Sequence, residues 1–261
     1  MFGLPDTYMI RARIFPAMLA AVPAIALAVA IVSWRQIIVS HVVASAAVCV
    51  LFFAFADIAR RRGKRLEPLI YENIGGKPST TMLRHRDAAL DAATKDRWVR
   101  FLASKLNEKS PTVDREEQDP MYCDAFYERC GIWLREHTRD IKKFKLIFEE
   151  NVTYGFRRNL LGLKWLGLLL NATVVLICLA AVWFRFPISP DDDVTIRLLC
   201  VLVVAFLHAI YFLLAVNEGS VIEGANQYAR QLLLGCEALQ TGTPLKPAAR
   251  AKKQAKQKSA V

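Results

Sequence analysis

Four long segments without a charged residue divide the chain, at 14–34, 36–56, 165–184 and 198–217. Each holds about 20 residues, and an apolar helix of that length crosses the hydrocarbon core of a bilayer, which is roughly 30 Å thick. Between residues 66 and 162, no alternation of apolar and polar positions runs for the length of a strand. The pattern predicts an all-α membrane protein with four transmembrane helices in two hairpins, and it excludes a soluble enzyme.

Basic residues gather on one side of these segments. Ten lie before the first segment, after the second and before the third, whereas three lie beside the two short loops. Because the cytoplasmic flanks of membrane helices are rich in Lys and Arg, both termini and the region between the hairpins are predicted to be cytoplasmic. The first segment has an alternative interpretation as a cleaved signal peptide, given Arg11, Arg13 and the Ala28-x-Ala30 pattern, although its apolar run is longer than such peptides use.

This arrangement predicts five parts in the chain. They are an N-terminal hairpin, a helical cytoplasmic region, a second hairpin, a C-terminal cytoplasmic helix and a basic tail, with ranges 1–57, 58–162, 163–217, 218–242 and 243–261. The net charge of +11 comes from the membrane flanks and the tail. We expect a disordered tail whose lysines meet anionic lipid, and nucleic acid is not a predicted partner.

Within the cytoplasmic region, the spacing of Trp98, Leu102 and Leu106 predicts a helix over 79–107, with Ser79 or Thr80 as its N-cap. The polar stretch 107–119 is interrupted by proline and predicts a loop. A longer helix is expected to begin at residue 120, since proline is well tolerated in a first turn.

This second helix carries the clearest apolar stripe outside the membrane segments. The residues of the stripe, which also include Cys130, recur at spacings of three and four. This pattern predicts one straight face that is buried against the first helix or a second subunit. The helix is also expected to continue through Gly155 into the third membrane segment. The residues of this predicted partner or oligomer face are Tyr122, Phe126, Trp133, His137, Ile141, Phe144 and Phe148.

One segment of the cytoplasmic region has the composition of an anion site. Residues 75–81 combine two glycines, a lysine and a predicted helix start, so Lys77, Arg84 and Arg86 are candidate cations facing a phosphate or an acidic partner. The segment is not a Walker A loop, because Tyr71 stands where that motif needs glycine. A plain turn with a helix cap is the alternative interpretation.

The membrane segments hold few polar residues. Asn171 and His208 are the intramembrane polar residues singled out, and His208 is the functional candidate. A hydrogen bond from His208 to Asn171 or Tyr211 is the structural alternative. No carboxylate lies inside a segment, which argues against an ion-coupled carrier. The six cysteines show no zinc spacing, so we predict no metal, no cofactor and no enzymatic activity.

Two stretches of the chain are similar to segments of poorly characterised bacterial multi-span membrane proteins. The first is Ile-Gly-Gly-Lys-Pro-Ser-Thr-Thr at 74–81 with Leu-Arg-His-Arg-Asp at 83–87, and the second is Phe-Glu-Glu-Asn-Val-Thr-Tyr-Gly-Phe-Arg-Arg-Asn at 148–159. Some of these proteins accompany anti-phage defence systems. The resemblance implies a membrane effector that a sensor partner releases to permeabilise the inner membrane, and it implies no catalytic residue.

Three functional hypotheses follow. The first is an oligomeric effector of the bacterial inner membrane whose helical region senses a partner and alters membrane permeability, as in abortive infection. The second is a non-conducting anchor or scaffold subunit for a cytoplasmic partner. The third, an enzyme acting at residues 75–87, has the least support from the sequence.

Overall fold

The computed structural model describes residues 7–31, 39–184 and 193–241, and only the backbone of residues 39–51. These residues form helices and turns and contain no strand. In chain order the helices are α1 Thr7–Ile31, α2 Val39–Asn73, α3 Pro78–Thr81, α4 Ala92–Leu106, α5 Val113–Gln118, α6 Pro120–His137, α7 Lys145–Trp183, α8 Asp193–Leu214 and α9 Glu218–Thr241. Helix α1 contains a π-helical turn at Ile10–Ile14 and a proline at position 23.

Three of these helices are long and apolar enough to cross a membrane, namely α1, α7 and α8. The all-helical class is confirmed for the described residues, and these three helices support the prediction of a membrane protein. The second predicted segment coincides with the first half of α2, apart from residues 36–38. The structure does not describe those residues, the remaining parts of the predicted hairpin loops or the basic tail 243–261. The fourth span therefore stays a prediction.

The single helix predicted over 79–107 is wrong. Helix α3 ends at Thr81, and α4 begins only at Ala92. Helix α3 starts with Pro78, and its cap position is Lys77 rather than Ser79 or Thr80. Helix α4 starts where the Asp91 side chain accepts a hydrogen bond from the Thr94 amide, a local cap that the apolar spacing did not reveal.

The loop predicted over 107–119 contains a short helix. Asn107 ends α4 in a left-handed conformation, with φ of 56°. The Thr112 hydroxyl then accepts from the Arg115 amide and starts α5. Capping side chains thus create a helical turn in a segment whose proline and polar composition indicated none.

The long helix predicted from residue 120 is broken. Helix α6 ends at His137 and α7 begins at Lys145. The Thr138 hydroxyl donates to the Leu134 carbonyl. The Asp140 carboxylate accepts from the backbone amides of Lys142 and Lys143. These side chains satisfy backbone groups locally and end the ladder. The predicted continuity through Gly155 into the third membrane segment holds for α7, which runs unbroken to Trp183.

The chain forms two compact units. Unit 1 comprises residues 1–73 and 152–224, and unit 2 comprises 74–151 and 225–261. Residues 58–73 and 152–162, assigned from sequence to the cytoplasmic region, therefore belong with the membrane helices. Helices α7 and α9 each contribute residues to both units.

Unit 1 packs its helices through small residues. Ala17, Ala20, Ala56 and Ala59 are buried in its core. At the tightest contact, a Cβ placed on Gly162 of α7 would lie 2.6 Å from the Gly63 nitrogen of α2. No side chain fits at that distance, so the two backbones touch there. Small residues drive such close approach in membrane helices, where burial of apolar surface gives little force.

Two exposed tryptophans lie at the two ends of the apolar part of α7. Trp165 is 73% exposed and Trp183 is 78% exposed, and the side chains of Leu169, Leu176 and Leu179 between them are exposed as well. The two tryptophans are 18 residues apart, about 27 Å along a helix. This matches the roughly 30 Å hydrocarbon core with tryptophan at each interface.

We expect Gly162→Ala to destabilise the protein. The added methyl meets the α2 backbone at 2.6 Å, and overpacking of this kind costs about 1–3 kcal/mol. Gly219→Ala is the control, because its added methyl meets only the Asn217 side-chain oxygen within 4 Å. Thermal unfolding in detergent should show a lower midpoint for Gly162→Ala than for Gly219→Ala. Equal midpoints would contradict the contact.

Candidate functional site

The two polar residues predicted inside the membrane segments meet each other. The Asn171 amide nitrogen on α7 lies 3.0 Å from Nδ1 of His208 on α8, and it donates to the Ala205 carbonyl at 2.8 Å. A carbonyl only accepts, so the amide nitrogen is correctly oriented and must also donate to the ring. His208 Nδ1 is therefore the acceptor, and the proton of the neutral ring sits on Nε2.

The other ring nitrogen lies beside the turn of α1 that lacks a backbone hydrogen bond because of Pro23. His208 Nε2 is buried without a hydrogen-bond partner among the described residues, and the backbone of Leu19 is the acceptor group beside the ring. Pro23 lacks the amide hydrogen that would pair with the Leu19 carbonyl in a regular helix. A donor without a partner and a carbonyl without its helical partner thus occur together in unit 1, between α1 and α8, which pack against each other.

A second irregularity of α1 is met by another asparagine. The Asn159 amide on α7 donates to the Ala12 carbonyl at 2.6 Å, within the π-helical turn. Such a turn disturbs the regular ladder, and a side chain that supplies a donor stabilises it. Nearby, Gly155 leaves room for Tyr8, whose hydroxyl would lie 2.8 Å from an added Cβ. Asn159 was not among the predicted site residues, although an asparagine directly before the apolar residues 160–163 was a signal for it.

On the N-terminal side of Trp165, α7 shares a polar cluster with α2. The Tyr154 hydroxyl donates to Glu67 Oε1 at 2.6 Å and lies 2.7 Å from the Tyr71 hydroxyl, and Arg158 Nη1 donates to Glu67 Oε2 at 3.1 Å. Burial raises the pKa of Tyr71 well above its ordinary range, so its phenol stays neutral. These hydrogen bonds join α2 to α7 and indicate a structural junction between the two helices.

In unit 2, the three predicted anion-binding cations do not converge. Arg84 forms a two-pronged ion pair with Asp124, with distances of 2.8 and 2.7 Å. Lys77 lies 3.9 Å from a carboxylate oxygen of Glu128. Arg86 is exposed at the edge of a separate cavity of about 660 Å³ that also carries Asp96, Glu116 and Glu117. The segment has the composition of a phosphate site, but its charges serve other contacts.

Two buried charges hold this segment instead. The Lys95 side chain is 3% exposed, and its ammonium donates to the backbone carbonyls of Arg84, His85 and Asp87. Glu116 is 6% exposed and accepts from the His85 amide at 3.0 Å and from the Tyr127 hydroxyl at 2.8 Å. Hydrogen bonds to charged groups are worth about 1.5–3 kcal/mol each.

Sequence reasoning missed both of these residues. Lys95 stands three residues before the apolar Trp98 and is buried beside it in unit 2, so its place in the helical spacing was the available signal. Nothing in the sequence pattern around Glu116 distinguished it from its acidic neighbours.

The predicted partner face does not form one surface. Phe126 and Phe144 are buried in the core of unit 2, and Trp133 and Phe148 are half-buried. The three remaining members of the stripe, Tyr122, His137 and Ile141, are exposed. The break between α6 and α7 divides the stripe. Spacings of three and four place residues on one face only within a continuous helix, and no continuous helix joins the two ends of this stripe.

The buried side of α6 is turned toward other residues. Cys123, Tyr127, Cys130 and Leu134 all lie in the core together with Phe126. Burial raises the pKa of Cys130 to about 12, so its thiol stays protonated and unreactive at neutral pH. These residues pack unit 2.

No group of three or more His, Cys, Asp or Glu side chains among the described residues is placed to hold a metal ion. Comparison with known proteins found no matching family model, curated protein or solved structure. The arguments on function therefore rest on this chain's own residues.

We expect Asn171 and His208 to be energetically coupled. A double-mutant cycle with Asn171→Leu, His208→Leu and the double variant should give a coupling of about 1 kcal/mol, since interhelical hydrogen bonds in membranes are worth about that much. Thermal unfolding in detergent measures it. Thr173→Val serves as the control partner for His208, because the Thr173 hydroxyl bonds only within its own helix, to Leu169. Additive effects in both cycles would contradict the pairing.

Proposed function

We propose that this protein is an oligomeric effector of the bacterial inner membrane, with four spans in two hairpins and both termini in the cytoplasm. Its helical region, centred on unit 2, binds a sensor partner and thereby alters membrane permeability, as in anti-phage defence. The single observation that carries the proposal is that α7 is one unbroken helix from Lys145, within unit 2, to Trp183 at the end of a membrane-crossing segment. A partner that moves residues of unit 2 on this helix acts on a membrane helix directly.

The character of unit 2 supports a binding role. The described part of the unit has no metal cluster, and the cations of its glycine-containing segment are paired or separated. Segment 84–87 is held by Lys95 and Glu116 rather than by apolar packing alone. A segment held by a few charged hydrogen bonds changes its order when a partner competes for those bonds.

The membrane part supports a change in packing rather than ion-coupled transport. Helix α1 has two irregular turns, and the side chains that meet them come from other helices. The polar residues of the described membrane-crossing segments pair with each other or with backbone groups. We infer that an exchange of those contacts would change the packing of the bundle.

We expect induction of the full-length protein in bacteria to depolarise the membrane above a threshold level, as reported by a potential-sensitive dye. Lys95→Met should lower that threshold, because it removes the ammonium that holds the 84–87 backbone. Arg100→Met, on an exposed position of the same helix, should behave like the unchanged protein.

Unchanged potential and growth at every expression level, with and without phage infection, would overturn the effector role. The scaffold alternative would then be favoured, since α6 presents exposed Met121, Tyr122 and Ile132 beside the half-buried Trp133. In that case a stoichiometric partner should co-purify with the protein and be lost in Trp133→Asp.

The topology is tested separately. A membrane-impermeant maleimide applied to spheroplasts should label Gln36→Cys and Asp192→Cys, whereas Asp114→Cys should react only after permeabilisation. The unchanged protein gives the background from its own cysteines. Labelling of Gln36→Cys only after permeabilisation would contradict the second span. Labelling of Asp114→Cys before permeabilisation would contradict the predicted orientation.

A further inference from the structure

We propose that the exposed face formed by Arg61, Lys64 and Arg65 on α2 binds the headgroups of anionic phospholipids. The proposal uses the membrane insertion of α7 and is independent of the effector role. It rests on three observations: the depth of this face, its direction, and the charge that remains there after internal pairing.

The depth follows from the contact between two glycines. Gly63 of α2 touches Gly162 of α7, so the two residues lie at the same level of unit 1. Gly162 is three residues, or about 4.5 Å, from Trp165, which marks the interface. The headgroup layer on each side of the hydrocarbon core is about 5–7 Å thick. Residues around Gly63 therefore lie at headgroup depth.

The direction follows from the helical period. Ala59, Gly63 and Ile70 form the buried side of α2. At about 100° per residue, Arg61, Lys64 and Arg65 occupy an arc of roughly 100° on the opposite side. All three are exposed, and the Arg61 side chain retains 74% of its accessible surface. A face that points away from the bundle at this depth points at lipid.

The charge balance of the face is positive. Asp57 forms an ion pair with Arg61 at 2.7 Å and offsets one cation, whereas Lys64 and Arg65 form no ion pair that the described residues show. Elsewhere at the junction, Arg158 pairs with Glu67, and Lys164 donates to the Val216 carbonyl at 2.7 Å. Basic residues close to an anionic membrane surface are attracted to it. Because Lys64 and Arg65 keep their charge at this depth, the face is suited to bind anionic headgroups.

The experiment uses the purified full-length protein with phosphatidylglycerol or phosphatidylcholine in mixed micelles. Native mass spectrometry counts the retained lipids, and thermal unfolding measures stabilisation. We expect at least threefold more phosphatidylglycerol than phosphatidylcholine on the unchanged protein, and a loss of that preference in the triple variant R61Q/K64Q/R65Q. The control R100Q/R139Q/K142Q removes three exposed cations of unit 2 and should keep the preference.

Several outcomes would overturn the proposal. Equal retention of both lipids by the unchanged protein would do so, as would an undiminished preference in the triple variant. Glycerol 3-phosphate is added at the same concentration, and equal stabilisation by it would indicate a site for free phosphate instead. If the triple variant does not fold, K64Q alone and the salt dependence of the unchanged protein decide, since raised salt must reduce the preference.

Discussion

Polar groups in the hydrocarbon core of a membrane have no water to bind, so the protein itself must supply their partners. This constraint applies to the membrane-crossing part of unit 1, and a similar need for partners is met just outside it, where Asn159 precedes Trp165 on α7. Helix α1 departs from a regular backbone at its π-helical turn and at Pro23, and side chains from α7 and α8 lie at both places: Asn159 at the first, His208 with Asn171 at the second. The hydrogen bond from Asn159 to Ala12 and the small residues that allow close approach thus help to specify the position of α1.

Unit 2 solves a related problem in a different way. The turn that follows α3 buries backbone carbonyls and amides that no helix pairs, and the charged ends of Lys95 and Glu116 satisfy them. A buried charge destabilises the fold unless hydrogen bonds satisfy it. Removal of one partner leaves the other buried polar groups without a hydrogen bond, which lowers stability. The turn is therefore ordered through a small number of strong contacts, which is the property that suits a region whose order responds to a partner.

The two units also differ in how they fill space. Alanine and glycine bring the helices of unit 1 together, so that Gly63 and Gly162 meet backbone to backbone. Unit 2 is filled by large side chains, among them Trp98, Phe126 and Phe144. In water, burial of large apolar surface drives packing, whereas in lipid that force is weak and close contact decides. The contrast lies at the closest helix contacts, since unit 1 also buries large side chains such as Leu163 and Phe212.

Several features followed from the sequence alone. The long apolar segments predicted membrane helices, and the helical class was correct, because the length of a span and its lack of charge are properties of neighbouring residues. The contact of Asn171 with His208 was one of two alternatives that the sequence allowed. The helix boundaries at 91, 112 and 138 were not predicted, since single capping side chains set them and the apolar spacing runs across them.

Tertiary structure decided what the polar residues do. Arg84 looked available for an anion until α6 brought Asp124 beside it, and Phe126 looked like part of a surface until the core of unit 2 enclosed it. The lysine at 95 and the asparagine at 159 gained their roles from residues far away in the chain. A charge or an amide has the same local pattern whether it faces solvent or a distant carbonyl, so only the folded chain determines its partner.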